Sequence, residues 1–283
     1  MTTVTHHNTD ADLPLSGREP ALGGGRYGPM TGLEPLIGGD VTARLTELLA
    51  LLRQSDDLDA RWTAARGLGQ LADPRAMDDL LEALHSGDVR LRRYVAWALG
   101  RIGERDQEAA AVAVPGLLDA LRRPGGRMRE VTAWALGRIG HARAVPALRE
   151  ALRDRNCQVR RAAAEALGRT GSQMEGDTIR AQIVMGIEKL LADTDRNVRR
   201  AAAEALGRMG DEDAIPSLFD ALTHPDRDTR WSAAWALGRC GNRARARLVV
   251  ALHDPDPLMR QAAGWGLWWL DNGKDGGRPP DRP

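Results

Sequence analysis

The chain has 283 residues, and its 40 lysines and arginines balance 39 aspartates and glutamates to a formal net charge of +1. This balance excludes a chain that binds polyanions through its overall charge. The sequence also has no signal-peptide pattern and no apolar run long enough to span a bilayer. We therefore expect a cytoplasmic protein with no membrane partner.

The sequence contains no signature of metal or cofactor chemistry. The two cysteines, Cys157 and Cys240, are too far apart in the sequence to form a metal motif, and two alone make no disulfide framework. A glycine-rich phosphate loop and a Ser/His/Asp arrangement are also absent. We predict neither a cofactor nor a metal site.

Both ends of the chain have the composition of tails. Residues 1–39 are rich in Gly, Pro, Thr and Asp without helical periodicity, and residues 271–283 are rich in Gly and Pro. Such segments bury too little apolar surface to offset their conformational entropy. We predict a disordered or loosely docked tail at 1–39, a folded domain at 40–270 and a second tail at 271–283. Alternatively, the apolar residues between Tyr27 and Leu36 lie in a groove of the domain.

One nine-residue phrase recurs seven times in the predicted domain. Its copies begin with Arg61, Arg92, Arg129, Arg160, Arg199, Arg230 and Arg260. The first six copies close on a glycine, and these are Gly69, Gly100, Gly137, Gly168, Gly207 and Gly238. A period of 31 to 39 residues is typical of stacked two-helix units.

Each unit reads as a first helix with an early proline, followed by a second helix that carries the repeated phrase. The predicted first helices lie near 41–53, 75–85, 107–122, 143–153, 178–192, 213–223 and 243–252. The fold class predicted from this pattern is all-α, a right-handed α–α superhelix of about seven repeats. Two extensions, near 104–112 and 172–179, fall on one edge of it.

Several positions of the phrase are predicted to be structural. Counted from the closing glycine as zero, position −12 is aspartate in five copies and position −8 is arginine in all seven. We expect the aspartate to cap the second helix and to pair with the arginine four residues later. Alanines at −5, −4 and −2, with the glycine, favour close helix packing. Cys240, at +2, is predicted to be a core residue.

The phrase at residues 195–208, with the pattern Asp-x-x-Val-Arg-Arg-Ala-Ala-Ala-Glu-Ala-Leu-Gly-Arg, resembles the HEAT-like repeat of the phycobilisome lyase type. The resemblance extends over about 41–270. Residues 91–101 are also similar to an early segment of the E/F-type bilin lyases. The resemblance implies a HEAT solenoid that is either an interaction scaffold or a bilin lyase subunit. The His-Glu pairs of deoxyhypusine hydroxylase, a di-iron member of the wider group, are absent.

Positions −7, −3 and +1 lie on one face of each second helix, which we expect to line the concave side. Nine arginines and three glutamates at these positions give that face a charge of +6, and seven of the eight tryptophans fall there. The predicted binding residues are Trp62, Arg66, Arg93, Trp97, Arg101, Glu130, Trp134, Arg138, Arg161, Glu165, Arg200, Glu204, Trp231, Trp235 and Trp265.

Three functions compete for this face. The first is a non-catalytic scaffold that binds a protein segment or a small anionic or aromatic ligand. The second is a bilin-lyase-like or other ligand-handling enzyme or chaperone, with Glu130 as the candidate catalytic acid or base. The third, nucleic-acid binding, is disfavoured because the glutamates interrupt the basic track. All three require exposed indoles; the alternative is that the indoles pack between repeats.

Overall fold

The computed structural model describes residues 40–174 and 176–272, and the predictions for the tails at 1–39 and 273–283 lie outside this part of the chain. The described residues form fifteen α-helices and several short 3₁₀ turns, without any strand. The all-α class and the repeat architecture predicted from the sequence are confirmed.

The helices form seven consecutive pairs. The first four pairs comprise α1 (Val41–Gln54) with α2 (Leu58–Leu71), α3 (Met77–Ala83) with α4 (Val89–Arg105), α5 (Gln107–Ala110) and α6 (Val114–Arg122) with α7 (Gly126–Ile139), and α8 (Val145–Ala151) with α9 (Cys157–Gln173). The last three comprise α10 (Asp177–Glu188) with α11 (Arg196–Met209), α12 (Ile215–Asp220) with α13 (Arg227–Arg239), and α14 (Asn242–Ala251) with α15 (Pro257–Asn272). Helix α15 thus reaches two residues into the segment predicted as a tail.

Aspartates begin most of the second helices, as predicted. Asp195 accepts hydrogen bonds from the backbone N–H groups of Asn197 and Val198 at 2.8 and 3.2 Å. Asp57, Asp88 and Asp256 cap their helices in the same way. These bonds satisfy N–H groups that have no partner within the helix, and they fix where each second helix starts.

The closing glycines allow successive second helices to touch. A Cβ atom added at any of the six would lie only 2.4 to 2.7 Å from an atom of the next second helix. At Gly137 that atom is the Cα of Ala166, and at Gly168 it is the Cβ of Ala205. No real side chain tolerates such a distance, so the glycine and the small residue at −2 together set the helix spacing.

Close packing on one side gives the stack its curvature. Each second helix packs along the next, from α2 through α15, whereas successive first helices make few contacts with each other. A layered stack curves toward its more closely spaced layer. The second helices therefore form the inner face of the stack, and they carry positions −7, −3 and +1.

The pairing expected for the arginine at −8 is wrong, because this arginine donates to backbone oxygens of its own turn and, in three repeats, to a carboxylate of the neighbouring repeat. Arg160 donates to the backbone oxygen of Asp154 in its own turn at 2.8 Å. It also donates twice, at 2.8 Å each, to the carboxylate of Asp193 in the next repeat. Arg129 with Asp154 and Arg199 with Asp226 repeat the arrangement. Asp226 starts α13 without a side-chain cap hydrogen bond, so its carboxylate accepts from Arg199 instead.

Candidate functional site

The inner-face tryptophans are more buried than the sequence predicted. The exposed fractions of Trp97, Trp134 and Trp265 are 4%, 6% and 3%, so the expectation that their rings open onto the groove is wrong. The rings of Trp97 and Trp134 lie on Gly69 and Gly100 of the preceding helices. A ring at −3 covers the notch that the glycine leaves, and burial of its apolar area stabilises the stack.

The other predicted tryptophans are half-buried and pack on each other or on cations. Trp231 meets Trp265 edge to face, with ring centroids 5.2 Å apart, and lies 5.8 Å from Trp269. Trp235 lies under the guanidinium of Arg239. Trp62 stacks on Tyr94 at 6.3 Å. Aromatic packing thus accounts for most of this set, and the polar side chains are left as the candidate site.

Two glutamates lie at the centre of the inner face. Glu165 on α9 and Glu204 on α11 occupy the position that tryptophan fills in α4 and α7. Arg161 lies 3.7 Å from Glu165, and Arg200 lies 3.7 Å from Glu204. The cleft between these helices is bordered by Trp134 and has a free volume of about 20 Å³. This volume admits about one water molecule.

Burial makes these carboxyl groups weak acids. It raises the pKa of Glu204 to about 7, against the opposing effect of Arg200, and the nearby Glu165 adds to the rise. Burial likewise raises the pKa of Glu165, which Arg161 and Arg208 oppose. Glu204 is therefore only partly ionised at neutral pH.

Glu130, the candidate catalytic residue, lies apart from this pair on α7. Its carboxylate is 3.4 Å from Arg161, and burial raises its pKa despite that neighbour. The side chain is buried. The contact is an ion pair between the adjacent second helices α7 and α9.

Position +1 forms a row of arginines across five repeats. The row comprises Arg101, Arg138, Arg169, Arg208 and Arg239. The carboxylate of Glu104 pairs with both of the first two. Sequence analysis missed Glu104, whose only signal was its place one helical turn beyond Arg101. The carboxylate of Glu104 reduces the positive charge of the N-terminal half of the inner face.

The last three arginines of this row have no such partner. The guanidinium groups of Arg169, Arg208 and Arg239 make no hydrogen bond or ion pair with residues 40–174 or 176–272. Burial lowers the pKa of Arg169 and of Arg208, and repulsion from its two neighbours in the row lowers that of Arg208 further. We call these three residues the unpaired row.

The remaining predictions concern single residues. Arg66 is exposed on α2, and Arg93 is half-buried on α4. Cys240 is buried, and this burial raises the pKa of its thiol to about 11, as suits a core residue. Across the described helices there is no cluster of residues that could hold a metal ion, and none of these helices is both long and apolar enough to cross a membrane.

Paired helices stacked through their second members define an all-α repeat solenoid. The family model for HEAT repeats matches residues 45–114, 114–186 and 183–268. Together these matches cover most of the chain. The chain belongs to the HEAT repeat family.

Solved structures agree with this assignment. A chain in the complex of CpcE and CpcF of phycocyanin lyase from Nostoc sp. PCC7120 is 27% identical, with a TM-score of 0.52 over 84% of this chain and 91% of that one. A designed armadillo repeat protein in complex with the peptide (KR)4 is 19% identical, with a TM-score of 0.56 over 69% and 98%. An engineered protein is 24% identical, with a TM-score of 0.54 over 82% and 69%. The latter two show the fold alone. No curated protein matches the chain.

Proposed function

We propose that this protein is a non-catalytic HEAT-repeat scaffold whose inner face binds an acidic protein segment. The observation that carries the proposal is the unpaired row, in which three guanidinium groups from consecutive repeats make no hydrogen bond or ion pair with the described residues, although the charges of Glu165 and Glu204 act on Arg208 from nearby. Arg169 and Arg208 are half-buried and Arg239 is exposed. A half-buried guanidinium without an acceptor is costly, and an anionic partner would supply the missing acceptors. Repeat proteins use such inner faces for extended ligands.

The spacing of the row specifies the form of the segment. Packed helices lie about 8–10 Å apart, so successive arginines are separated by about that distance. A polyproline II chain rises ~3.1 Å per residue with three residues per turn, which is ~9 Å per turn. An acidic residue at every third position would therefore meet one arginine in each repeat. We expect a segment with this period.

Binding of a fluorescently labelled peptide of repeated Glu-Pro-Pro tests the proposal. A peptide of the same composition with its glutamates contiguous is the comparison for spacing. Arg208→Gln should weaken binding of the periodic peptide about tenfold, because it removes one charge-assisted contact. Arg122→Gln is the matched control, since that side chain is 70% exposed on the outer helix α6.

Several outcomes would count against the proposal. Equal binding of the two peptides would remove the role of spacing, and equal losses in the two variants would remove the role of the row. Tighter binding of a single-stranded oligonucleotide than of the peptide would instead favour nucleic acid.

A lyase-like subunit is the second candidate, and the 27% identity over most of both chains favours it. In this candidate the inner face handles a flat anionic ligand, with Glu130 as acid or base. The buried rings of Trp97 and Trp134 and the narrow central cleft oppose it, because the helices would have to separate to admit several fused or linked rings. Visible absorbance of the protein purified from its host, or quenching of tryptophan fluorescence by a bilin, would support it.

A further inference from the structure

Grooves separate neighbouring first helices on the outer side of the stack, and two of them occupy corresponding places in different repeats. One lies between α8 and α10 and has a free volume of about 330 Å³. The other lies between α12 and α14, reaches the first turn of α15 and has a free volume of about 450 Å³. Volumes of this size are typical of clefts that bind ligands. We call the second one the outer groove.

The lining of the outer groove is apolar at two positions that are charged in the groove between α8 and α10. Counted back from the arginine that opens the phrase in each repeat, Phe219 corresponds to Arg149, and Val250 corresponds to Lys189. The groove between α8 and α10 shows that the stack forms with charged side chains at these positions. Packing of the fold therefore does not explain the apolar lining of the outer groove.

Val250 departs furthest from the pattern of the repeats. The residue ten positions before the opening arginine is charged in the second to the sixth repeat, where it is Glu82, Asp119, Glu150, Lys189 and Asp220. In the last repeat it is Val250, which is 74% exposed and is the most exposed large apolar residue within 40–174 and 176–272. An apolar side chain at so exposed a position in a groove indicates a surface that a partner covers.

Other apolar side chains surround Val250 in the outer groove. Pro216 and Phe219 line it from α12, and Met259 lines it from α15. The guanidinium of Arg247 lies over the ring of Phe219, 5.5 Å from its centroid. This cation–π contact restricts the Phe219 side chain, which lowers the entropy lost when a partner packs on it. The groove thus offers a preformed apolar contact surface from three helices.

The charged residues of the lining favour a basic partner. Two carboxylates, Asp220 and Asp254, and one guanidinium, Arg247, give the outer groove a charge of 1 − 2 = −1. The side chain of Asp220 makes no hydrogen bond or ion pair with the described residues. Asp254 accepts from the backbone N–H of Asp256 at 2.9 Å, which leaves its charge in place. The groove between α8 and α10 has the opposite charge, 3 − 1 = +2.

The walls of the outer groove favour a helical partner. The backbone N–H and C=O groups of a helix bond within that helix, so a groove between two helices offers mainly side chains to a ligand. An extended segment would find few backbone partners there, whereas a helix satisfies its own backbone groups and lays an apolar face into such a groove. Helix α14 has 10 residues and is ~15 Å long, which matches about three turns of a partner helix.

We propose that the outer groove binds an amphipathic helix of a partner protein, with Val250 at the centre of the contact and a lysine or arginine of the partner beside Asp220. The apolar face of the partner packs on Phe219 and Val250, and its basic residue offsets the charge of the groove. This site lies among the first helices, whereas the unpaired row lies on the second helices. It therefore does not depend on binding of an acidic segment.

Fluorescence anisotropy with a labelled, side-chain-cyclised helical peptide of about three turns tests the site. The peptide carries leucines on one face and one lysine beside them, and a comparison peptide has glutamate in place of that lysine. Val250→Lys should weaken binding about tenfold or more, because an ammonium group would have to be buried against the leucines. It should leave the melting temperature nearly unchanged, since the residue is exposed. Lys189→Gln, at the corresponding exposed position of α10, is the matched control and should not affect binding.

Asp220→Asn tests the assignment of charge in the same assay. The unaltered protein should bind the lysine peptide more tightly than the glutamate peptide, and the variant should reduce this preference by about two- to fivefold, as expected for one exposed ion pair. Equal binding of the two peptides by the unaltered protein would contradict the basic partner.

The opposite results would overturn the site. These are unchanged binding in Val250→Lys, equal losses in Val250→Lys and Lys189→Gln, or equal binding of an uncyclised peptide with a central proline, which would mean an extended ligand. A dimer in light scattering that Val250→Lys abolishes would assign the groove to a second copy of the chain instead. If Val250→Lys does not fold, Val250→Ser serves as the second variant. Binding of the Glu-Pro-Pro peptide stays intact in Val250→Lys, so the two proposals fail separately.

Discussion

Single side chains at position −3 decide whether each repeat contributes packing or charge to the inner face. Where the residue is tryptophan, as in α4 and α7, its ring covers the glycine of the preceding helix. Where it is glutamate, as in α9 and α11, the alanine at −2 makes that contact and the carboxylate lies in the cleft. At the centre of the face, two carboxyl groups therefore stand where the neighbouring repeats bury tryptophan rings.

Trp134→Ala should destabilise the fold by about 3–5 kcal/mol, because it leaves a cavity over Gly100. Urea denaturation followed by far-UV circular dichroism would measure the change. Trp62→Ala should cost less, since that ring is only half-buried. Equal, small losses in both variants would mean that the ring of Trp134 does not pack between the helices.

Glu204 makes stability depend on pH. Its pKa rises from 4.5 to about 7 on folding, so the folded state binds the extra proton between these values. Stability from this group is complete below about pH 4.5 and is lost as the pH rises through 7. Glu204→Gln should remove this loss and stabilise the protein at pH 8 by up to about 3 kcal/mol. Chemical denaturation at pH 5 and pH 8 would measure it.

The exposed Glu212 supplies the control for that experiment. Glu212→Gln should leave the difference in stability between the two pH values unchanged. A wild-type stability that rises between pH 5 and pH 8, with Glu204→Gln following the same course, would contradict the assignment.

Successive second helices in this fold are joined by two kinds of contact. Along the face of the helix, the closing glycine meets the next helix at backbone distance. At the start of three second helices, the arginine at −8 bridges to a carboxylate of the next repeat, as Arg199 does to Asp226 at 2.7 Å. Burial alone would raise the pKa of Asp226, but hydrogen bonds from Thr229 and Arg199 lower it to about 2. Both contacts connect nearest neighbours only.

Gly168→Ala should destabilise the protein by about 1–3 kcal/mol, even though alanine is the better helix former. Its Cβ would lie 2.5 Å from the Cβ and 2.7 Å from the Cα of Ala205, and a backbone atom cannot turn aside. Gly87→Ala is the matched control, because nothing lies within 4 Å of its added Cβ. Differential scanning calorimetry would separate the two. Equal melting temperatures would show that the spacing of α9 and α11 is not set by this glycine.

Across the whole molecule, the sequence predicted the repeats better than the side-chain partners. Seven pairs of helices follow from the period and from aspartate caps such as Asp195, since both signals are local. The burial of Trp97 could not be read in this way, because it depends on a glycine 28 residues away. Glu104 was missed for a related reason, since it pairs with Arg138 across repeats. Contacts between repeats depend on curvature, which a period does not specify.

The charge of the inner face is uneven along the molecule, and this governs how salt acts on it. Glu104 neutralises the N-terminal half of the +1 arginines, while the unpaired row leaves the C-terminal half positive. Binding of the Glu-Pro-Pro peptide should weaken steeply between low salt and physiological salt, because exposed charges are screened. Thermal stability should change little, since the stack depends on apolar burial. Affinity measured at several salt concentrations checks this, and a salt-independent affinity would contradict it.

Spacing fixed by backbone contact on one side and loose contact on the other has a mechanical consequence. The inner layer resists compression, because α7, α9 and α11 already touch at their glycines. Straightening the arc must narrow the gaps between the outer helices, and tightening it must widen them. The compliance of the protein therefore lies in its convex surface, and a partner that grips the first helices would set the pitch of the whole coil.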